Sequence, residues 1–125
     1  MILLTKEQIL MLHEKLIDRY GGTHGVRDNA LLDSAVFSPN QTFDGNDIYP
    51  TVKEKAVRLC YGLVQNHPFH DGNKRIGALA LLVTLDLNHI TLSATKEELT
   101  GIILSVASSS ASDRELLSWV IDHTA

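Results

Sequence analysis

The stretch HPFHDGNKRIGALALLVTLDL, His67–Leu87, decides the fold. From Ile76 to Leu87 it is apolar almost all the way round, with Gly77, Thr84 and Asp86 as the interruptions. A helix apolar on every face belongs in a core, so a central helix is predicted here. The nine residues before Ile76 are of another kind, holding histidines, an aspartate, a glycine, an amide and two cations. The whole stretch reads as a polar loop feeding the N-terminus of the central helix. Free backbone N–H groups and about half a positive charge make that end a ready anion site.

The flanking segments are also helical. Thr5-Lys6-Glu7-Gln8 forms a capping box, followed by Ile9, Leu12, Leu16, Ile17 and Tyr20 as an apolar stripe. Gly21-Gly22 ends that helix. Asp28 caps a short helix over Asn29–Phe37, and Thr51–Glu54 opens a third that runs to Asn66. Cys60 lies on the buried stripe of this third helix and reads as an inert core residue. The central helix ends near Asn88, a residue suited to a left-handed cap. Thr95–Glu98 and Ser112–Glu115 are two further capping boxes, separated by the serine-rich break at Ser108–Ser112. Between the second and third helices, Ser38–Pro50 holds Asp44-Gly45, a favoured type I′ pair, so a small β-hairpin fits there as well as a surface loop.

The 125 residues make a single domain, 1–125, large enough for one core. The predicted fold is all-α: a compact bundle of about six helices around the central one, with the small hairpin attached. Eleven Lys and Arg against fifteen Asp and Glu give a net charge of −4, which argues against direct binding of nucleic acid. The longest apolar run is too short to span a membrane, and MILLTKEQ lacks the basic start of a signal peptide. One cysteine cannot form an internal disulfide, which favours a reducing compartment, the cytoplasm.

The loop's residues have separable chemistry. Asn73, Lys74 and Arg75 fall in the first turn of the central helix, where two cations face the positive end of the macrodipole and a bound anion would offset them. Arg75 suits a bidentate phosphate clamp and Lys74 a point charge. Gly72 lets a backbone approach a ligand closely, and Asp71 is a hard oxygen donor for Mg²⁺ bridging phosphates. His67, at the other end of the loop, is placed to take a proton from an attacking hydroxyl. Phe69 anchors the loop in the core. Taken singly, these residues have plainer readings: His67 as a helix C-terminal histidine, Asp71 as the cap of the central helix, Lys74 and Arg75 as a solvated face. Gathered within nine residues at the mouth of the core helix, they read as a site.

HPFHDGNKR resembles the signature of the Fic/Doc family, H-P-F-x-x-G-N-x-R, and its Asn-Lys-Arg ending is similar to the Doc (death-on-curing) branch. The likeness extends to Tyr20-Gly21-Gly22, Gly25–Asp28, Gln41-Thr42-Phe43, Tyr49-Pro50 and Gly62-Leu63-Val64. The resemblance implies that His67 is the base, that Asp71 positions Mg²⁺ with ATP, and that Gly72, Asn73, Lys74 and Arg75 hold the phosphates. It implies that Thr42, Phe43, Asp44 and Gly45 form a flap that aligns the target chain as an added strand. In the Doc branch the γ-phosphate is transferred to a threonine of elongation factor Tu, halting protein synthesis. Such toxins are restrained by a Phd-like antitoxin whose C-terminal segment packs on them. The family's inhibitory-helix pattern is not met here, since Ser93 to Glu97 is followed by Glu98.

Three rival readings remain. Adenylyl transfer of the Fic type uses the same residues, but Lys74 stands where that branch has glycine. A metal-dependent phosphohydrolase would build on His70-Asp71 with His13, His24, Asp113 and Asp122, although Gly72 and two cations beside the doublet disfavour it. A binding module without catalysis would leave an intact set of motif residues without a task.

Overall fold

The computed structural model describes residues Met1–Ala125. Six α-helices follow in order: α1 (Lys6–Tyr20), α2 (Asn29–Phe37), α3 (Val52–Asn66), α4 (Asn73–Leu87), α5 (Lys96–Ala107) and α6 (Asp113–Asp122). The four capping boxes all form, at Thr5/Gln8, Thr51/Glu54, Thr95/Glu98 and Ser112/Glu115. Asp28 caps α2 by accepting from the Leu31 N–H at 3.0 Å. A single turn of 3₁₀ helix, Ser38–Asn40, leads into a two-stranded antiparallel hairpin, β1 (Thr42–Phe43) and β2 (Asn46–Asp47). Phe43 pairs with Asn46 across the turn, where Asp44 and Gly45 take φ of 52° and 77°. Positive φ at both residues is the type I′ requirement.

The central helix predicted at Ile76–Leu87 is α4, and α3 shares the centre with it. The two pack side by side and divide the interior into two half-cores. On one side Ile103, Val106, Leu116 and Val120 of α5 and α6 meet Val57, Cys60, Val64, Leu81 and Leu85. On the other, Ile9, Leu32 and Ala35 of α1 and α2 meet Leu59, Leu63, Phe69, Ile76 and Ala80. The contact between α3 and α4 is close because Gly77 has no side chain: a Cβ there would lie 2.5 Å from Val64 Cγ2 and 3.3 Å from the Cys60 carbonyl oxygen. Cys60 is fully buried, and burial pushes its thiol up to about 12, as an inert core residue requires.

Two expectations are corrected. Asn88 is not left-handed (φ −108°); that conformation falls to His89 (φ 61°). Asn88 instead ties the N-terminal segment to the end of α4, its Oδ1 accepting from the Ile2 N–H at 2.8 Å and its Nδ2 donating to the Ile2 and Thr84 carbonyls. Tyr20, expected on the apolar stripe of α1, is 53% exposed. It is the last residue of the helix, one turn beyond Ile17 and past the edge of the half-core.

Candidate active site

The loop His67–Gly72 joins the two central helices, and its backbone is fastened along its length. His67 caps α3 in the left-handed conformation (φ 48°). Arg27 grips this end, its Nε donating to the His67 carbonyl at 2.7 Å and its NH2 to that of Asn66 at 3.1 Å. The Pro68 carbonyl accepts from the N–H groups of Arg27 and Asp28, and Val26 bridges Phe69 in antiparallel fashion. The buried Asn73 side chain closes the loop on itself, Oδ1 accepting from the Phe69 N–H and Nδ2 donating to the Phe69 carbonyl, each at 3.0 Å. Asn73 therefore has its backbone N–H, and not its amide, to offer a phosphate.

A buried histidine on α1 holds the second half of the loop. His13 is 2% exposed, stacks on Phe69 at 3.7 Å between ring centroids, and donates from Nε2 to the Asp71 carbonyl at 2.7 Å. Burial outweighs this hydrogen bond and lowers its pKa from the usual 6.5. Only glycine fits beside it at position 72, which has φ +80° and where a Cβ would meet Ile17 Cδ1 at 3.2 Å.

These contacts leave the polar side chains outward. His67, Asp71, Lys74 and Arg75 are all exposed. Asp71 does not cap α4; its Oδ2 accepts from the Thr23 N–H at 2.7 Å, and Gly72 is the cap. Of the six helices, only α4 has no side chain capping its N-terminus, and its first turn carries no acid. Neither Lys74 nor Arg75 takes part in an ion pair. Two cations without carboxylate partners therefore stand at the positive, uncapped end of the core helix, an arrangement that suits a phosphate. Mg²⁺ takes one or two carboxylates and completes its shell with phosphate oxygens and water, so the single exposed carboxylate of Asp71 fits it only alongside a phosphate.

The residues weighed as further metal ligands are not brought together. His13 is engaged with the Asp71 carbonyl, His24 pairs with Asp18 at 2.8 Å, and Asp113 pairs with Arg58 at 3.2 Å. No group of three or more His, Cys, Asp or Glu side chains is placed to hold an ion. The hairpin that carries Thr42, Phe43, Asp44 and Gly45 projects into solvent, with Phe43 74% exposed. It is footed by the buried Lys55, whose Nζ donates to the Pro39 carbonyl at 2.9 Å and faces Asp47 at 3.4 Å.

A family model described as the Fic/DOC family matches residues 3–85, from α1 through the loop and into the last turn of α4. The chain belongs to the Fic/DOC family. It is also similar to Toxin Doc of Mycolicibacterium smegmatis, 43% identical over 75 residues, which are 60% of this chain. The match spans 58% of that protein's length. Within the family match, His13 and Arg27 are the residues whose part the sequence reading missed. Spacing of four from both Ile9 and Ile17 put His13 on the buried face. An arginine can bind the last carbonyls of a helix, but nothing local to Arg27 names α3 as that helix.

Proposed function

We propose that this chain is the toxin of a toxin–antitoxin pair, a Doc-like kinase that moves the γ-phosphate of ATP to a hydroxyl of a translation factor resembling elongation factor Tu. The observation that carries the reading is the pair of unpaired cations, Lys74 and Arg75, on the uncapped N-terminus of α4, in one loop with His67 and Asp71. The similarity to a protein named Toxin Doc supports the toxin role.

In this reading His67 accepts the proton of the target hydroxyl as its oxygen bonds to the γ-phosphorus, and the bond from that phosphorus to the β-phosphate oxygen breaks, releasing ADP. Arg75 and Lys74 hold the phosphates against the backbone N–H groups of Asn73 and its neighbours, where charge develops in the transition state. Asp71 holds Mg²⁺, which when bound neutralises the phosphate oxygens. The hairpin around Phe43 receives the target chain as an added strand, leaving the hydroxyl in front of His67. A Phd-like antitoxin restrains the site from outside, and the cytoplasm, where translation runs, is the place of action. Lys74 favours γ-phosphoryl over adenylyl transfer, since it adds bulk and charge where the adenylylating branch has glycine.

The test is label transfer in a translation extract with Mg²⁺ and ATP labelled at either the γ- or the α-phosphate. Label from γ alone, on a band the size of an elongation factor and absent with His67→Ala, is the expected outcome. Label from α makes the chain an adenylyl transferase, and label from neither removes the kinase reading.

A further inference from the structure

We propose that Tyr20 is a positioning residue that holds Arg75 ready for its phosphate; the proposal rests on reading Arg75 as the phosphate clamp. The Arg75 guanidinium carbon lies over the Tyr20 ring, 4.5 Å from its centroid. The Arg19 guanidinium reaches the same ring at 5.5 Å. Both distances are within the range of cation–π attraction.

Three features distinguish this contact from ordinary surface packing. The ring is not held there by the core, for Tyr20 is 53% exposed at the end of α1. Arg75 has no carboxylate partner, so the ring stands where an ion pair would otherwise restrain its long side chain. An aromatic face also restrains a guanidinium differently from a carboxylate. A guanidinium stacked on a ring keeps its N–H edge open, and that edge is what grips a phosphate.

The same end of α1 serves the other half of the site. Two residues beyond Gly21, the Thr23 N–H holds the Asp71 carboxylate. A Cβ on Gly22 would come within 3.1 Å of Asp71 Cβ, so the chain fits closely around that side chain. The Tyr20–Thr23 segment thus orients both the clamp and the carboxylate, although neither Tyr20 nor Thr23 belongs to the nine-residue loop. Arg19 adds a second positive group against the same ring.

The test compares wild type, Tyr20→Phe, Tyr20→Leu, Arg75→Ala and Tyr20→Leu/Arg75→Ala. Calorimetry gives their affinities for ATP with Mg²⁺ and for inorganic tripolyphosphate. Tyr20→Phe keeps the ring and should bind as wild type does. Tyr20→Leu should bind about two- to fivefold more weakly, the size of an exposed cation–π contact. The double variant should bind no more weakly than Arg75→Ala. Equal losses from Tyr20→Leu with and without Arg75, or the same loss with phenylalanine, would overturn the proposal.

A second readout needs no ligand. The Arg75 side-chain protons should be shifted upfield by the ring in wild type and in Tyr20→Phe, and return to open-chain positions in Tyr20→Leu. If wild type binds neither ATP nor tripolyphosphate, the phosphotransfer reading fails, and these shifts decide Tyr20 alone. Arg75 signals at open-chain positions in wild type would refute its role.

Discussion

Gly77→Ala should destabilise the protein, although alanine is the better helix former. In an exposed helix interior the change would gain about 0.5–1 kcal/mol. Here the new methyl would sit 2.5 Å from Val64 Cγ2 and 3.3 Å from the backbone oxygen of Cys60. Val64 is fully buried, and a valine in a helix has essentially one side-chain rotamer. The oxygen behind it belongs to the backbone of α3, so relief requires the two central helices to move apart. Overpacking of this kind costs about 1–3 kcal/mol, and two rigid neighbours place this case in the upper half. The net expectation is a loss of about 1–2 kcal/mol, or about 4–8 °C in Tm for a chain of this length.

Urea denaturation followed by circular dichroism measures this, and a double-mutant cycle with Val64→Ala tests its cause. Val64→Ala alone removes two buried methyls and should cost about 2 kcal/mol with the cavity included. In the double variant the new methyl occupies part of that cavity. The pair should therefore be more stable than the sum of the singles by about 1–2 kcal/mol. Activity should fall further than stability does, because α3 ends at the His67 cap and α4 carries Lys74 and Arg75 in its first turn. A displacement of about 1 Å between the proposed base and clamp can cost about a hundredfold in rate. A Gly77→Ala protein as stable as wild type, or strictly additive energies, would refute the reasoning.

Three other outcomes follow from the site. Asp71→Asn keeps an oxygen for the Thr23 N–H but loses its charge. The Mg²⁺ concentration for half-maximal transfer should rise about tenfold or more, with Tm unchanged. Burial lowers the pKa of His13 in the folded protein below its usual 6.5, so the unfolded chain takes up the proton first as pH falls. This histidine's contribution is intact above pH 6.5 and is lost through the more acidic folded value; His13→Gln should flatten the acid limb of a stability–pH curve. Phe43→Ala, at a residue 74% exposed, should change stability by less than about 0.5 kcal/mol. Label transfer to the protein target should nonetheless drop while ATP affinity holds.

What could be read from the sequence divides along the range of the interactions involved. Each capping box joins a Thr or Ser to a residue three positions on, so all four are legible in full; the Asp44-Gly45 turn joins adjacent residues, and sequence alone leaves it even between a hairpin and a surface loop. Legible too is the exceptional start of α4, where glycine and two cations replace the Ser/Thr-x-x-Glu/Gln pattern of its neighbours. The misreadings come from partners far along the chain. Asn88 has a local tolerance for a left-handed cap, yet its amide is engaged by Ile2, 86 residues away. Helical spacing puts Tyr20 on the core face, because spacing gives a face but not how far the core extends along it. His13 and Arg27 hold the loop from 58 and 40 positions away, with bonds to backbone carbonyls, and carbonyls carry no residue identity for a sequence to reveal. This explains why the outward-facing chemistry was easier to read than the scaffold that aims it. His67, Asp71, Lys74 and Arg75 lie within nine residues of one another in sequence, whereas the orientation of their loop depends on α1 and the segment after it. Outside the nine-residue loop, the residues from Tyr20 to Arg27 are therefore where substitutions should alter activity with the least change to the fold.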